Sequence, residues 1–262
     1  MDLGLSGKTA IVTGASRGIG LAVTRALAEE GASVVAVSKS GSTELKALEE
    51  AGQVLAVAVD LTDPRAATAV VEAAVSSFGG LDVLVNNVGA VRPRVGGFLS
   101  VTDGDWDATL TINLLAAVRM TRAALPRLVE RGAGGIVTVS SVNAALPDPL
   151  VIDYSAAKAA LSSFCKSLSK EVGPSGVRVN TVSPGPVATA LWLGDDGVAA
   201  TLASATGDDA GAVADLAASE SVTGRFTRPE EVADLVVYLA GDRAANITGA
   251  DFTIDGGLIT TL

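Results

Sequence analysis

Short apolar runs alternate along the chain with longer stretches in which apolar residues return every three or four positions. The runs occupy residues 9–12, 33–37, 54–59, 83–85, 135–139, 178–182 and 252–254. Each is strand-sized, and most place apolar side chains on both alternating faces, the pattern of a strand covered from both sides. The stretches near 19–30, 65–78, 106–130, 154–171 and 230–239 carry helical periodicity. Strand followed by helix, repeated throughout, predicts an α/β fold: one doubly wound domain over residues 1–262, with about seven parallel strands and helices on both faces. Right-handed crossovers then set the first strand beside the fourth, and ligands of such sheets bind in the crevice where the winding reverses. Residues 186–224 break the alternation, being rich in Ala, Gly, Asp and Thr without a clear strand. They are expected to form a lid over the crevice.

Composition narrows the choices. The 48% hydrophobic content raises the question of a membrane, yet the longest apolar runs fall well short of the roughly 18 residues that a spanning helix needs. The first 13 residues show neither a basic segment nor a small-residue cleavage site, so a cytoplasmic location is expected. A net charge of −10 argues against a nucleic-acid partner, which calls for clustered Lys and Arg. The complete absence of histidine excludes Ser-His-Asp hydrolysis, Cys-His proteolysis and His-ligated zinc. Cys165, the only cysteine, can form no internal disulfide and has no partners for a metal site, so no metal is expected and it reads as a helix-packing residue.

Two groups of residues carry chemistry. The first is the turn after the first strand, Thr13-Gly-Ala-Ser-Arg-Gly-Ile-Gly20. Gly14 permits a tight bend, Gly18 lets backbone approach a phosphate and Gly20 lets the next helix sit close, while Ser16, Arg17 and Ile19 complete the turn. A helix beginning there points free amides at a pyrophosphate. The second strand ends Val37-Ser38-Lys39-Ser40 and lacks the carboxylate that would accept from a ribose 2′-hydroxyl. Ser38 and Ser40 as donors, with Lys39 and Arg17 as cations, favour NADP(H), with NAD(H) the alternative. The second group is Ser141, Tyr154 and Lys158, the last two four residues apart on one predicted helix.

Together these residues resemble the classical short-chain dehydrogenase/reductase family, with its Rossmann fold, and in particular members of the 3-oxoacyl-carrier-protein reductase type. The similarity runs from about Leu5 to Leu258. It implies that Asp60 and Leu61 contact adenine, and that Asn87 and Gly89 in Asn86-Asn87-Val88-Gly89 border the cofactor. Val88 departs from the alanine usual there. Pro184, Gly185 and Val187, with Thr189, match the nicotinamide-contacting loop. Asn113, Ser141, Tyr154 and Lys158 match the catalytic tetrad. Reducing a ketone requires a proton donor at oxygen, and a phenol near pKa 10 gives its proton up poorly at neutral pH. Lys158 and the positive nicotinamide of the oxidised cofactor are expected to lower that value; about 3 units corresponds to roughly 4 kcal/mol. Ser141 would hold the substrate oxygen, and Lys158 the nicotinamide ribose. Asn113, at a helix irregularity, would anchor a water that relays protons to Lys158. Tyr238 has no such partner, since Asp242 stands four positions on.

Substrate clues are sparse. Arg92 and Arg94 are candidates to meet a substrate carboxylate or are solvated loop residues. Trp192, between Leu191 and Leu193, either covers an apolar substrate or makes a subunit contact. Asp195, Asp196, Asp208, Asp209, Asp215 and Glu220 in the lid favour a free small ketone or secondary alcohol over an acyl chain on an acidic carrier, an option that Arg127 and Arg131 keep open. The resemblance implies a homotetramer or homodimer through the long helices. The alternatives are an NAD-dependent alcohol dehydrogenase, a carrier-bound 3-oxoacyl reductase and, from another class, a nucleotide-binding regulatory protein without turnover.

Overall fold

Strand β1 (Thr9–Thr13) is entirely buried, because its neighbours on both sides are strands and both its faces meet helices. The computed structural model describes residues 1–261. Beside β1 lie β2 (Ser33–Ser38) and then β3 (Val54–Ala58) on one hand, and β4 (Val83–Asn86), β5 (Gly134–Val139), β6 (Val177–Pro184) and β7 (Asp251–Ile254) on the other. Every pairing is parallel. The winding reverses between β1 and β4, as expected.

Alternation along each strand builds two cores. Ala10 and Val12 of β1, with Val34 and Ala36 of β2, face α1 (Gly18–Glu29) and α10 (Pro229–Ala240), where Val23, Leu27, Val232 and Val236 pack. Ile11, Val35 and Val37 face the other way, against α3 (Ala66–Phe78), α5 (Ala116–Arg131) and α6 (Ile152–Val172). Cys165 is 3% exposed in this second core, where burial pushes its thiol up to about 11. It is the packing residue expected.

Three features differ from the periodicity reading. A short helix, α2 (Thr43–Glu50), follows β2; its only fully buried residue is Leu45, so its apolar stripe is too thin to see, and Ser42 caps it by accepting from the Leu45 amide. The stretch expected as one helix over 106–130 is α4 (Asp103–Leu110), then a π turn (Thr111–Leu115), then α5. The segment expected as a lid is helical: α7 (Ala190–Leu193), α8 (Val198–Thr206) and α9 (Ala210–Ser219). Its alanine-rich composition suits helix, a preference that a missing strand pattern does not reveal. No helix among the described residues is long and apolar enough to cross a membrane.

Candidate active site

The carboxyl ends of β1 to β6 open into one cleft of about 1120 Å³. Residues from seven segments meet there: Gly14, Ser16, Arg17, Gly18 and Ile19 after β1; Ser38, Lys39 and Ser40 from the end of β2 onward; Asp60 and Leu61 after β3; Asn87 and Gly89 after β4; Ser141 after β5; Tyr154 and Lys158 from α6; and Pro184, Gly185, Val187, Thr189 and Trp192 from the end of β6 onward. Two expected site residues, Gly20 and Asn113, stand behind its wall.

The turn after β1 is shaped by close approach. Gly14 has φ +68°, and a Cβ there would lie 2.9 Å from the Asn87 amide nitrogen. At Gly20 it would lie 2.2 Å from the Gly14 carbonyl oxygen, so any side chain would push α1 off the sheet. Arg17 is the N-cap of α1 and offers no side-chain acceptor to its first turn. Those amides are therefore turned to the cleft, a fit for an anion. Thr13, given no role from the sequence, fixes this region: its buried hydroxyl accepts from the amides of Asn87 (2.9 Å) and Val88 (3.0 Å). Asn87 donates back to the Thr13 carbonyl at 2.8 Å. The ends of β1 and β4 are thereby tied. Val88 packs its larger side chain against the second core.

At the adenosine end one expectation is modified. The Lys39 ammonium does not stand free but pairs with Asp60 at 2.9 Å. Neighbouring parallel strands bring the two ends together, with Ser38 registered on Ala58. Lys39 and Thr62 hold the Asp60 carboxyl at about 2. The pair lies at the surface, where such contacts are weak and screened by salt, so the ammonium is only loosely retained.

Tyr154 sits on the third residue of α6, one turn before Lys158, and the Lys158 ammonium lies 5.6 Å from its ring centroid. The lysine is 3% exposed and donates to the Val139 carbonyl at 2.9 Å. Without the nicotinamide that the expected lowering calls for, burial raises Tyr154 above its ordinary value, and a hydrogen bond with Ser141 offsets only part of this. Burial also brings Lys158 down to about 8. The same dry surroundings penalise charge on both groups, so a lysine aimed at a carbonyl cannot alone supply a phenolate. Asn143, not singled out from the sequence, accepts from the Ser141 hydroxyl at 3.2 Å while its own amide also lies 3.2 Å from that oxygen. Its position two residues after Ser141, in a tight turn, was the available signal. Asn113 lies within the π turn, 1% exposed. It grips Ala90 from both sides, accepting from its amide (3.1 Å) and donating to its carbonyl (2.8 Å). A Cβ on Gly89 would meet Asn113 at 2.9 Å and Lys158 at 3.6 Å, so both reach the same spot.

Other expectations are corrected. Arg94 is not offered to a substrate; it is locked to Asp105 and Asp153, and neither it nor exposed Arg92 lines the cleft. Arg131 pairs with Asp82 at 2.7 Å and Arg127 with Glu130 at 3.4 Å, yet both guanidinium groups stay about half exposed and such surface pairs are weak, so the docking option they keep open stands. Trp192 lines the cleft with its ring tilted against Phe226, centroids 5.5 Å apart. No three His, Cys, Asp or Glu among the described residues gather as metal ligands.

A family model described as enoyl-(acyl carrier protein) reductase matches residues 14–259. The chain is 36% identical over 261 residues to the 3-oxoacyl-[acyl-carrier-protein] reductase FabG of Vibrio cholerae, covering 98% of this chain and 99% of that one. It is 38% identical over 264 residues to the D-threitol dehydrogenase of Mycolicibacterium smegmatis, covering 98% and 94%. Among solved structures, L-sorbose reductase from Gluconobacter frateurii, complexed with NADPH and L-sorbose, superposes with a TM-score of 0.91 at 37% identity, covering the whole of both chains.

Proposed function

The chain belongs to the short-chain dehydrogenase/reductase family and is an oxidoreductase of carbonyl and hydroxyl groups; we propose that it moves hydride between NADP(H) and a small free ketone or secondary alcohol. The observation that carries this reading is the meeting of Ser141, Tyr154 and Lys158 in the same cleft as the uncapped N-terminus of α1. The nicotinamide, when bound, supplies or accepts the hydride at the substrate carbon.

The protein's own residues do the rest. Tyr154 donates its phenolic proton to the carbonyl oxygen in reduction and takes it back in oxidation. Ser141, whose hydroxyl oxygen accepts from the Asn143 backbone amide, turns its single proton from the Asn143 side chain to that oxygen and stabilises charge on it. Lys158 holds the nicotinamide ribose and returns a proton to the phenol, and Asn113 keeps the Gly89–Ala90 segment in place behind it. The first turn of α1 binds the pyrophosphate, Asp60 and Leu61 border the adenine, and Gly185, Val187 and Thr189 border the nicotinamide. Ser38, Ser40, Arg17 and a Lys39 released from Asp60 receive the 2′-phosphate. The Lys39 pair also supports the alternative of NAD(H), since a lysine kept by Asp60 leaves the 2′-position without its nearest cation.

Leu146, Trp192 and Val198 also border the cleft, with the carboxylates Asp148 and Glu220, and its only lining cations among the described residues are Arg17, Lys39 and Lys158, all given to the cofactor. That supports a neutral substrate over an anionic one. Helices α7 to α9 serve as the lid, and a cytoplasmic homotetramer or homodimer completes the reading.

A cofactor-consumption screen over ketones and alcohols tests it. NADPH should be oxidised with at least one neutral ketone, and Tyr154→Phe should lower turnover about 100-fold or more. Arg17→Ala should weaken NADPH about 10-fold and NADH much less. Equal losses for both cofactors remove the NADP(H) assignment, and tight NADPH binding without turnover points to the regulatory reading.

A further inference from the structure

The residue before the candidate acid is Asp153, whose side chain is 2% exposed, and it is held by Arg94, itself 12% exposed. Arg94 comes from the segment after Gly89 that borders the substrate end. Its guanidinium reaches Asp153 through Nε (3.2 Å) and Nη2, and Asp105 of α4 through Nη1 (2.9 Å). Its backbone amide donates to the Leu150 carbonyl at 2.6 Å, just ahead of α6. Thr109 of α4 donates to the same Asp153 carboxylate at 2.7 Å, and its carbonyl accepts from the Asn113 side chain at 3.1 Å. One unbroken path therefore runs from the helix turn bearing Tyr154, through Asp153, Arg94 and Thr109, to Asn113 and so to Ala90.

A buried charge pair is costly to desolvate, and well-packed apolar residues at such a place commonly give equal or greater stability. Burial works against the Asp153 charge here, and the Arg94 guanidinium with the Thr109 hydroxyl outweighs it. Stability is thus a poor reason for the arrangement, whereas geometry is a good one. A forked guanidinium fixes direction as well as distance, which an apolar contact does not. Resting on the reading of Tyr154 as the proton donor, we propose that Arg94 is a positioning residue, a clasp that sets the phenol of Tyr154 relative to Asn113 and the Gly89–Ala90 segment. It touches neither cofactor nor substrate and acts only through Asp153 and Asp105.

The test compares full-length wild type, Arg94→Met, Arg94→Lys and Thr109→Val. For each, kcat, ketone KM, NADPH affinity by fluorescence and amide exchange are measured. Arg94→Met should lower kcat about 10- to 100-fold while KM and NADPH affinity stay within about twofold. Exchange should rise in residues 90–97, α4 and the first turn of α6 and nowhere else. Lysine, which keeps the charge but loses the fork, should recover part of kcat, and Thr109→Val should lower it severalfold. Should Arg94→Met fail to fold, the lysine and valine variants decide the matter in its place. Unchanged kcat in Thr109→Val and Arg94→Lys overturns the clasp, as does parallel loss of kcat and NADPH affinity. If wild type shows no turnover on any ketone, the reading of the function falls, and the exchange pattern in Thr109→Val alone decides the clasp.

Discussion

Lys158 illustrates how a single side chain is made useful at a cost to the fold. Burial lowers it to about 8 from an unfolded value of 10.5, so the folded protein disfavours its charged form. Below about pH 8 the lysine is protonated in both states and the penalty is fully present; between about 8 and 10.5 it fades, because the folded lysine sheds its proton first. The shift corresponds to something on the order of 3 kcal/mol. Lys158→Met, close in volume, is therefore expected to be inactive yet to melt higher than wild type at pH 7, with the advantage shrinking towards pH 10. Thermal melts across that range check it, and a lower midpoint for the methionine variant at pH 7 would show that the bond to the Val139 carbonyl outweighs the charge. Tyr154 and Lys158 were legible as a pair because a separation of four on a helix fixes their shared face. Their protonation was not legible, since it depends on what surrounds them.

At the scale of elements, the π turn at Thr111–Leu115 is the instructive case. One extra residue in a helical turn leaves the apolar spacing almost unchanged, so periodicity reads 106–130 as one helix; the irregularity expected at Asn113 came from the family resemblance, and the hydrogen bonds show it as a π turn. Helix α2 escaped for the opposite reason, having a single buried residue. Helix α5 carries a removable flaw, Pro126 on its exposed face. Proline there forfeits a helical hydrogen bond, while its stiffness also limits the unfolded chain. Pro126→Ala should gain about 2 kcal/mol in denaturant melts with kcat unchanged. A loss of stability instead would mean that the proline bends α5 to fit the sheet. Glycine positions were read better than helices: the φ of +68° at Gly14 and the approach of Gly20 to the Gly14 carbonyl arise within one strand-turn-helix unit, which the sequence spells out in order.

Over the whole molecule, charge is the property with reach. The net charge is −10, and all six acidic residues named in the lid are exposed. An acidic carrier would be repelled, and salt would relieve the repulsion. The kcat/KM for a carrier-linked acyl substrate should therefore rise about 2- to 5-fold between low and physiological salt, with a free ketone indifferent. A fall with salt for the carrier-linked substrate would reveal an attractive docking surface and remove the preference for free substrates. The parallel α/β alternation, the crevice where the first strand lies beside the fourth and the shared helix face of Tyr154 and Lys158 were determined by the sequence, because alternation, turn glycines and helical spacing act between near neighbours. Which distant partner Arg94 and Lys39 take was decided by tertiary structure alone. Arg94 and Asp153 stand 59 positions apart and Lys39 and Asp60 on separate strands. No local pattern records such meetings, since they exist only after the sheet has set its strands side by side and buried what lies between them.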